Sequence, residues 1–212
     1  MSTYGYNPNP FLKAFPTVLP RRKVFISYFK GDKVWVDKLV GDWGQPSNGV
    51  FIPRALGVRE DDDFVDSDDV DYVMSAIRDR YLQDTSVTIV IIGQCTHSRR
   101  FVDWEIKSSL RQPTSGLPNG LLGIAIPPPP KDAAGNPDWP HLPERFKKNY
   151  SSLYPTSSYA RYYRWPTSGT ELRGWIEEVL KLASEKVSLI SNPQEMPRRN
   201  LICKVHGIVH SV

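Results

Sequence analysis

The run Val87-Thr-Ile-Val-Ile-Ile92, closed by Gly93, limits the fold of this chain more than any other segment. Consecutive β-branched residues stiffen the backbone towards the extended form and leave neither face polar, so the run reads as a strand buried on both sides. Such strands belong to parallel sheets, which need helices on both faces. Directly downstream, Ser98-Arg-Arg-Phe-Val-Asp-Trp-Glu-Ile106 opens a helix that carries a carboxylate, Glu105, on the edge of its apolar face. Ligands of parallel sheets bind beyond the carboxyl ends of the strands, where Glu105 is then placed.

The rest of the chain repeats the alternation. Val24 to Tyr28 is a strand, and Val36, Leu39, Val40 and Trp43 follow at helical spacing. Gly49 to Ile52 is a shorter strand stopped by Pro53, and a helix follows with the stripe Val70, Val73, Met74, Ile77 and Tyr81. Leu121 to Ile126 is a strand cut off by four prolines, which cannot donate to a ladder. Tyr159 to Trp165 is a further strand candidate. Ser168 and Glu171 fit a capping box ahead of Leu172, Trp175, Ile176, Val179, Leu180 and Ala183. The expected architecture is flavodoxin-like α/β, a mostly parallel sheet with helices on both faces. Its expected parts are an N-terminal arm (1–22), one α/β domain (23–186) with a Pro-rich surface insertion (127–155), and an irregular C-terminal tail (187–212).

Composition narrows the class. A chain of 212 residues with 40% hydrophobic content supports one good core. A net charge of +4 with scattered basic residues leaves no nucleic-acid footprint. Two cysteines make no disulfide framework, and neither a leader nor an apolar run long enough for a bilayer is evident, so a cytoplasmic protein without membrane contact is expected.

Several occupants of the fold are disfavoured at the strand ends. A phosphoacceptor domain needs an aspartate at the end of the central strand, where Gly93-Gln94 stands. A flavodoxin needs a Ser/Thr/Gly-rich loop after the first strand, where Tyr28-Phe-Lys-Gly-Asp32 stands. The Gly-x-Gly-x-x-Gly turn of ordinary dinucleotide folds does not occur in the chain.

Val24-Phe-Ile-Ser-Tyr28 followed by Asp32, the helix through Leu39, and the Val87 strand running into Ser98 and Trp104-Glu105-Ile106 together resemble a TIR domain. The resemblance covers Lys23 to Leu110 and continues through Trp165 to Lys186. Thr85 to Gly93 and Arg99-Arg-Phe-Val102 with Glu105-Ile106 are most similar to the TIR proteins of the bacterial Thoeris anti-phage system. That likeness implies an enzyme that consumes NAD as substrate, with no other cofactor, and releases a cyclic ADP-ribose-type signal that activates a partner effector. It also implies TIR–TIR self-association. TIR domains that act only as adaptors or scaffolds through protein contacts are the alternative, and the fold does not choose between them.

One carboxylate suffices for the implied reaction. The nicotinamide–ribose bond breaks through an oxocarbenium-like state and nicotinamide leaves as a neutral molecule, so the proton donor that glycosidases provide for a poor leaving group is not needed. Glu105 would hold the ribose hydroxyls and stabilise the developing charge. On the helix, Val102, Ile106, Ser109 and Leu110 form the core stripe and leave Glu105 half buried; its bland alternative is a surface residue making helix-local ion pairs.

By resemblance Ser27, Tyr28 and Phe29 lie where the nicotinamide ribose would sit, and Asp32 contacts substrate. Packing under the next helix is the alternative for the two rings, and a solvated N-cap the alternative for Asp32. Trp104 either stacks on a base or fills the core flank. Lys30, Arg99 and Arg100 either attract a pyrophosphate or are solvated.

No metal is expected. The acids Glu60 to Asp63, Asp66, Asp68 and Asp69 lack the glycine and terminal glutamate of a calcium loop and suit a helix N-terminus. By resemblance their loop takes part in assembly and closes over substrate. His97 reads as a solvated loop residue, and Cys95 as a thiol with no basic partner to activate it. His206 and His210 lie in an alternation with Val205, Ile208, Val209 and Val212 that reads as an edge strand or a docking segment.

Overall fold

The computed structural model describes residues 20–47, 49–55, 70–77, 79, 82–111, 116–127, 142–193 and 195–210. The arm up to residue 19, the acidic loop 56–69 and residues 128–141 of the Pro-rich segment lie outside the described residues. Among the described residues the strands are β1 (Arg22–Ser27), β2 (Phe51–Ala55), β3 (Val87–Ile92), β4 (Gly120–Ala125) and β5 (Arg161–Tyr163). The helices are α1 (Lys33–Trp43), α2 (Val70–Ile77), α3 (Arg100–Ser109), α4 (Glu144–Asn149) and α5 (Gly169–Glu185).

The strands form one sheet in the order β2-β1-β3-β4-β5, with every pair parallel. This is the flavodoxin-like arrangement, and β3 lies at its centre with all six residues buried. Side-chain alternation splits the core into two layers. Val87, Ile89 and Ile91 join Val36 and Leu39 of α1 and Leu172, Ile176 and Val179 of α5. Val90 and Ile92 join Val102 and Ile106 of α3, Leu142, and Phe146 of α4. The α5 entry is capped as its sequence suggests: the Ser168 hydroxyl accepts from Glu171 N–H, while the Glu171 carboxylate reaches one residue further back, to Thr167 N–H.

Two expectations need correction and a third is narrowed. Strand β2 continues through Pro53 to Ala55, because among the described residues it pairs only with β1 and lies at the edge of the sheet, where a proline is tolerated. The segment after Pro127 is not all surface: Arg145, Phe146 and Asn149 of α4 are buried against α3. The tail docks, the second of its two expected readings, and among the described residues forms no edge strand. It makes a single antiparallel bridge, Cys203 to Ile208, around a turn in which Gly207 takes φ of 68°, and Val205, Ile208 and Val209 face outward.

The tail is a hydrogen-bonded strap across α3. Asn192 Nδ2 donates to Lys107 O, Trp104 Nε1 to Pro197 O, Arg100 Nη1 to Arg198 O, and Leu201 N–H to Ser98 O. Asn200 Oδ1 accepts the Arg100 N–H at the open start of α3, the capping role that Arg99 does not fill. Arg145 is the junction: fully buried, it donates to Asp103 Oδ2 (2.8 Å), Asn192 Oδ1 (2.7 Å) and Glu195 O (3.4 Å), joining α4, α3 and the strap. Removing one partner of a buried ion pair strands the other charge, so Arg145→Met should cost roughly 3 to 5 kcal/mol in urea unfolding. Adding Asp103→Leu should recover much of that loss.

Candidate active site

In the strand order 2-1-3-4-5 the chain leaves β1 to one side for β2 and later returns to its other side for β3. The carboxyl ends of β1 and β3 therefore flank the crevice where ligands of open α/β sheets bind. A cavity of about 250 Å³ lies there, lined by Phe29 and Asp32 after β1, Gln94 and Cys95 after β3, Ile126 and Pro127 after β4, and His206 of the strap. A larger cavity of about 340 Å³, on the far side of the start of α3, is bounded by the strap and Pro143 and touches no strand end. The strand-end crevice is the candidate site on topological grounds.

Glu105 sits beside this crevice without lining it. Its carboxylate accepts a 2.6 Å hydrogen bond from the Ser27 hydroxyl, the last residue of β1, and only 4% of the residue is exposed. Half-burial was expected. The difference arises because α2 and β1 both pack on α3 and bury Trp104 and Ser108 beside its apolar stripe, so both flanks of the helix are covered. Burial pushes the Glu105 carboxyl up to about 8, against a smaller opposing effect of the Ser27 hydrogen bond.

The other expected site residues divide by location. Phe29 lines the crevice with the Arg99 guanidinium stacked 3.5 Å from its ring centroid. Asp32 also lines it and is not an N-cap in the hydrogen-bonding sense, since its carboxylate caps no helix N–H. It turns towards β3 instead. The Thr96 hydroxyl, which accepts from Gly93 N–H, lies 3.4 Å from Asp32 Oδ2, and burial pushes the Asp32 carboxyl up to about 6 against the pull of Thr96 and Arg99. A side chain at Gly93 would collide with that carboxylate, which is why the residue closing β3 has none.

Tyr28 packs instead into the layer of α1 and α5. Trp104 is 1% exposed, packs with Ile77 of α2, and has its N–H bound to the strap, so its ring fills the core flank and offers no face to a base. Lys30 is exposed. Arg100 is buried and bonded to the strap, so it is not a solvated cation.

Residues that sequence reasoning left out of the site are Thr96, Gln94, Cys95 and His206. Cys95 and Gln94 were accessible to it, since they follow Gly93 at the end of the central strand. The Cys95 thiol does have basic neighbours, Arg99 and the imidazoles of His206 and His210. Burial and the adjoining Cys203 nevertheless push it up to about 12, which leaves it a poor nucleophile.

The raised Glu105 value makes a stability prediction. An acid whose folded-state pKa is raised holds a proton that the unfolded chain gives up, so its contribution is complete below the ordinary 4.5 and is lost as pH rises through about 8. Glu105→Gln keeps an acceptor for Ser27 and removes that proton dependence. Its Tm should exceed the wild type's by roughly 5 to 10 °C at about pH 8.5 and match it near pH 5 in differential scanning calorimetry.

A comparison with curated proteins finds no match. A comparison with protein families matches residues 25–130, from β1 to just beyond β4, to the Thoeris protein ThsB, TIR-like domain. The match takes in Ser27, Phe29, Asp32, Cys95 and Glu105 together, and the all-parallel sheet beneath them is the fold that this family requires. The chain belongs to the TIR-like domain family of the Thoeris anti-phage protein ThsB.

Proposed function

We propose that this protein cleaves the nicotinamide–ribose bond of NAD and converts the remaining ADP-ribosyl group into a cyclic signal that activates an effector in anti-phage defence. The observation that supports it most is the Ser27–Glu105 pair: one carboxyl group, held at the end of β1 next to the switch-point crevice. Glu105 would be the catalytic residue, Ser27 would orient its carboxylate, and Phe29 and Asp32 would contact the nucleotide from the crevice wall.

The pair of electrons in the breaking glycosidic bond goes to the ring nitrogen, which turns the pyridinium into neutral nicotinamide. Positive charge grows on the ribose, and an ionised Glu105 beside it lowers the barrier. Attack by an adenine or ribose atom of the same molecule closes a ring, attack by water gives ADP-ribose, and either releases one proton. The pyridinium charge of bound NAD favours the ionised form of Glu105, offsetting the burial that keeps it protonated in the empty site. At 4% exposure Glu105 meets no substrate until the strand end that covers it shifts. Activity therefore depends on an opening, to which an infection cue or TIR–TIR assembly would couple.

The same burial favours a second reading, a non-catalytic adaptor in which Glu105 is a protonated core residue. The two part on incubation of the full chain with NAD, alone and with extract of phage-infected cells, followed by mass spectrometry of the products. Nicotinamide release that falls at least ~100-fold in Glu105→Gln supports catalysis. Equal release by that variant, or none under either condition, supports the adaptor. In the catalytic case kcat/KM, which reports the free enzyme, should rise with pH through about 8, and Ser27→Ala should move that rise to higher pH because the lost hydrogen bond favoured the ionised form.

A further inference from the structure

Cys95, in the turn after β3, and Cys203, His206 and His210 of the C-terminal strap bring four metal-binding atoms within 4.8 Å of one another. Cys95 Sγ lies 3.3 Å from Cys203 Sγ, 3.2 Å from His206 Nδ1 and 3.4 Å from His210 Nε2. Cys203 Sγ lies 3.5 Å from His206 Nδ1, which is 3.1 Å from His210 Nε2. We propose that these four residues form a closed, tetrahedral zinc site that fastens the strap to the strand end of β3.

Ordinary Zn–S and Zn–N bonds of ~2.3 and ~2.05 Å set tetrahedral edges of about 3.8 Å for S–S, 3.6 Å for S–N and 3.3 Å for N–N. The five edges given fall within about half an ångström of these, on the short side, and the sixth, Cys203 Sγ to His210 Nε2, is no longer than 4.8 Å, so a small relaxation of the four side chains seats the ion. Two thiolates and two neutral imidazoles balance a divalent charge, so the completed group is neutral where it is buried. Soft sulfur with imidazole in tetrahedral array favours zinc over calcium, magnesium or manganese. Four protein ligands leave no open position, which makes the site structural.

Local sequence builds the cluster. Cys203-Lys-Val-His206-Gly-Ile-Val-His210 has the short ligand spacings of zinc modules. The turn is held by Gly207 N–H donating to Cys203 O (2.7 Å) and Cys203 N–H donating to Ile208 O (2.8 Å), with Gly207 left-handed at its corner. Arg99 donates to His210 O, which ties the last ligand of the turn to the start of α3.

A second observation shows that this segment needs such a tie. Leu201, Ile202, Val205, Ile208 and Val209 are all exposed, Ile208 and Val209 at 55%, so burial of apolar surface does not order it. The side chains that turn towards Cys95 are Cys203, which is buried, and His206 and His210, which keep some exposure. Metal coordination supplies the free energy that an apolar contact would otherwise contribute. His206 and Cys95 also wall the crevice, so the ion would fix one side of the candidate site. The proposal rests on these contacts and not on the reading of the site's chemistry.

The test is zinc content of the full chain, purified reduced and freed of any affinity tag, by inductively coupled plasma mass spectrometry. We expect about one zinc per chain, retained on desalting and restored to chelator-stripped protein by zinc chloride alone. Cys203→Ser and His210→Ala should each lose most of it. Chelation should lower the wild-type Tm by roughly 5 °C or more and open the strap to trypsin at Arg198, Arg199 and Lys204, while the two variants should not respond to chelator. His210→Ala alters a partly exposed residue and the chelator experiment uses unaltered protein, so neither depends on Cys203→Ser folding. Reduced wild-type protein that takes up no zinc overturns the proposal. So does undiminished zinc in both variants, or a Cys95–Cys203 disulfide as the form recovered from cells.

Discussion

Helix α3 is covered on both flanks, and the rest of the structure follows from what that requires. One flank of α3 must lie on the sheet, because Val102 and Ile106 have no other apolar surface to meet. The other flank carries Arg100, Asp103 and Trp104, whose polar atoms cannot leave water without partners. The C-terminal strap supplies partners along the whole length of the helix, from Asn200 at its start to Asn192 near its end, and α4 delivers Arg145 to Asp103. Strap and α4 are therefore parts of one hydrogen-bonded unit with α3.

That unit also sets the electrostatics of the crevice. Glu105 meets β1 from inside the packed interface, so its environment is set by desolvation, and the single hydroxyl of Ser27 offsets it only in part. Asp32 experiences a weaker form of the same effect, moderated by Thr96 and Arg99. Two carboxyl groups whose values are raised to different extents at one sheet edge make the edge sensitive to pH and to the charge of whatever enters it. A cation is a ligand to which such an edge responds.

The Thoeris family match ends at residue 130, whereas α4, α5 and the strap lie beyond it. The part within the match supplies four of the five strands, Glu105 and most of the crevice. The part outside the match supplies His206 on the crevice wall and the hydrogen bonds that hold α3 in place.

The sheet was legible in the sequence because β-branched runs and helical stripes encode burial locally: Val87–Ile92, the α1 stripe and the Ser168 cap each carry their own periodicity or donor–acceptor pattern. The chain order of these elements, with the Ser27-Tyr28-Phe29 strand end and Glu105, was enough to indicate the family. Three features were not legible. Full burial of Glu105 depends on β1 and α2 packing on α3, with Ser27 meeting it from 78 residues upstream. The core position of α4 depends on Arg145 finding Asp103 across 42 residues. Convergence of Cys95 with Cys203, His206 and His210 joins segments 108 residues apart at the nearest. Local pattern determined which elements form, because backbone preference and side-chain period act within a few residues. Tertiary packing alone decided which polar groups leave water together, because desolvation and pairing depend on neighbours that the chain brings in from a distance.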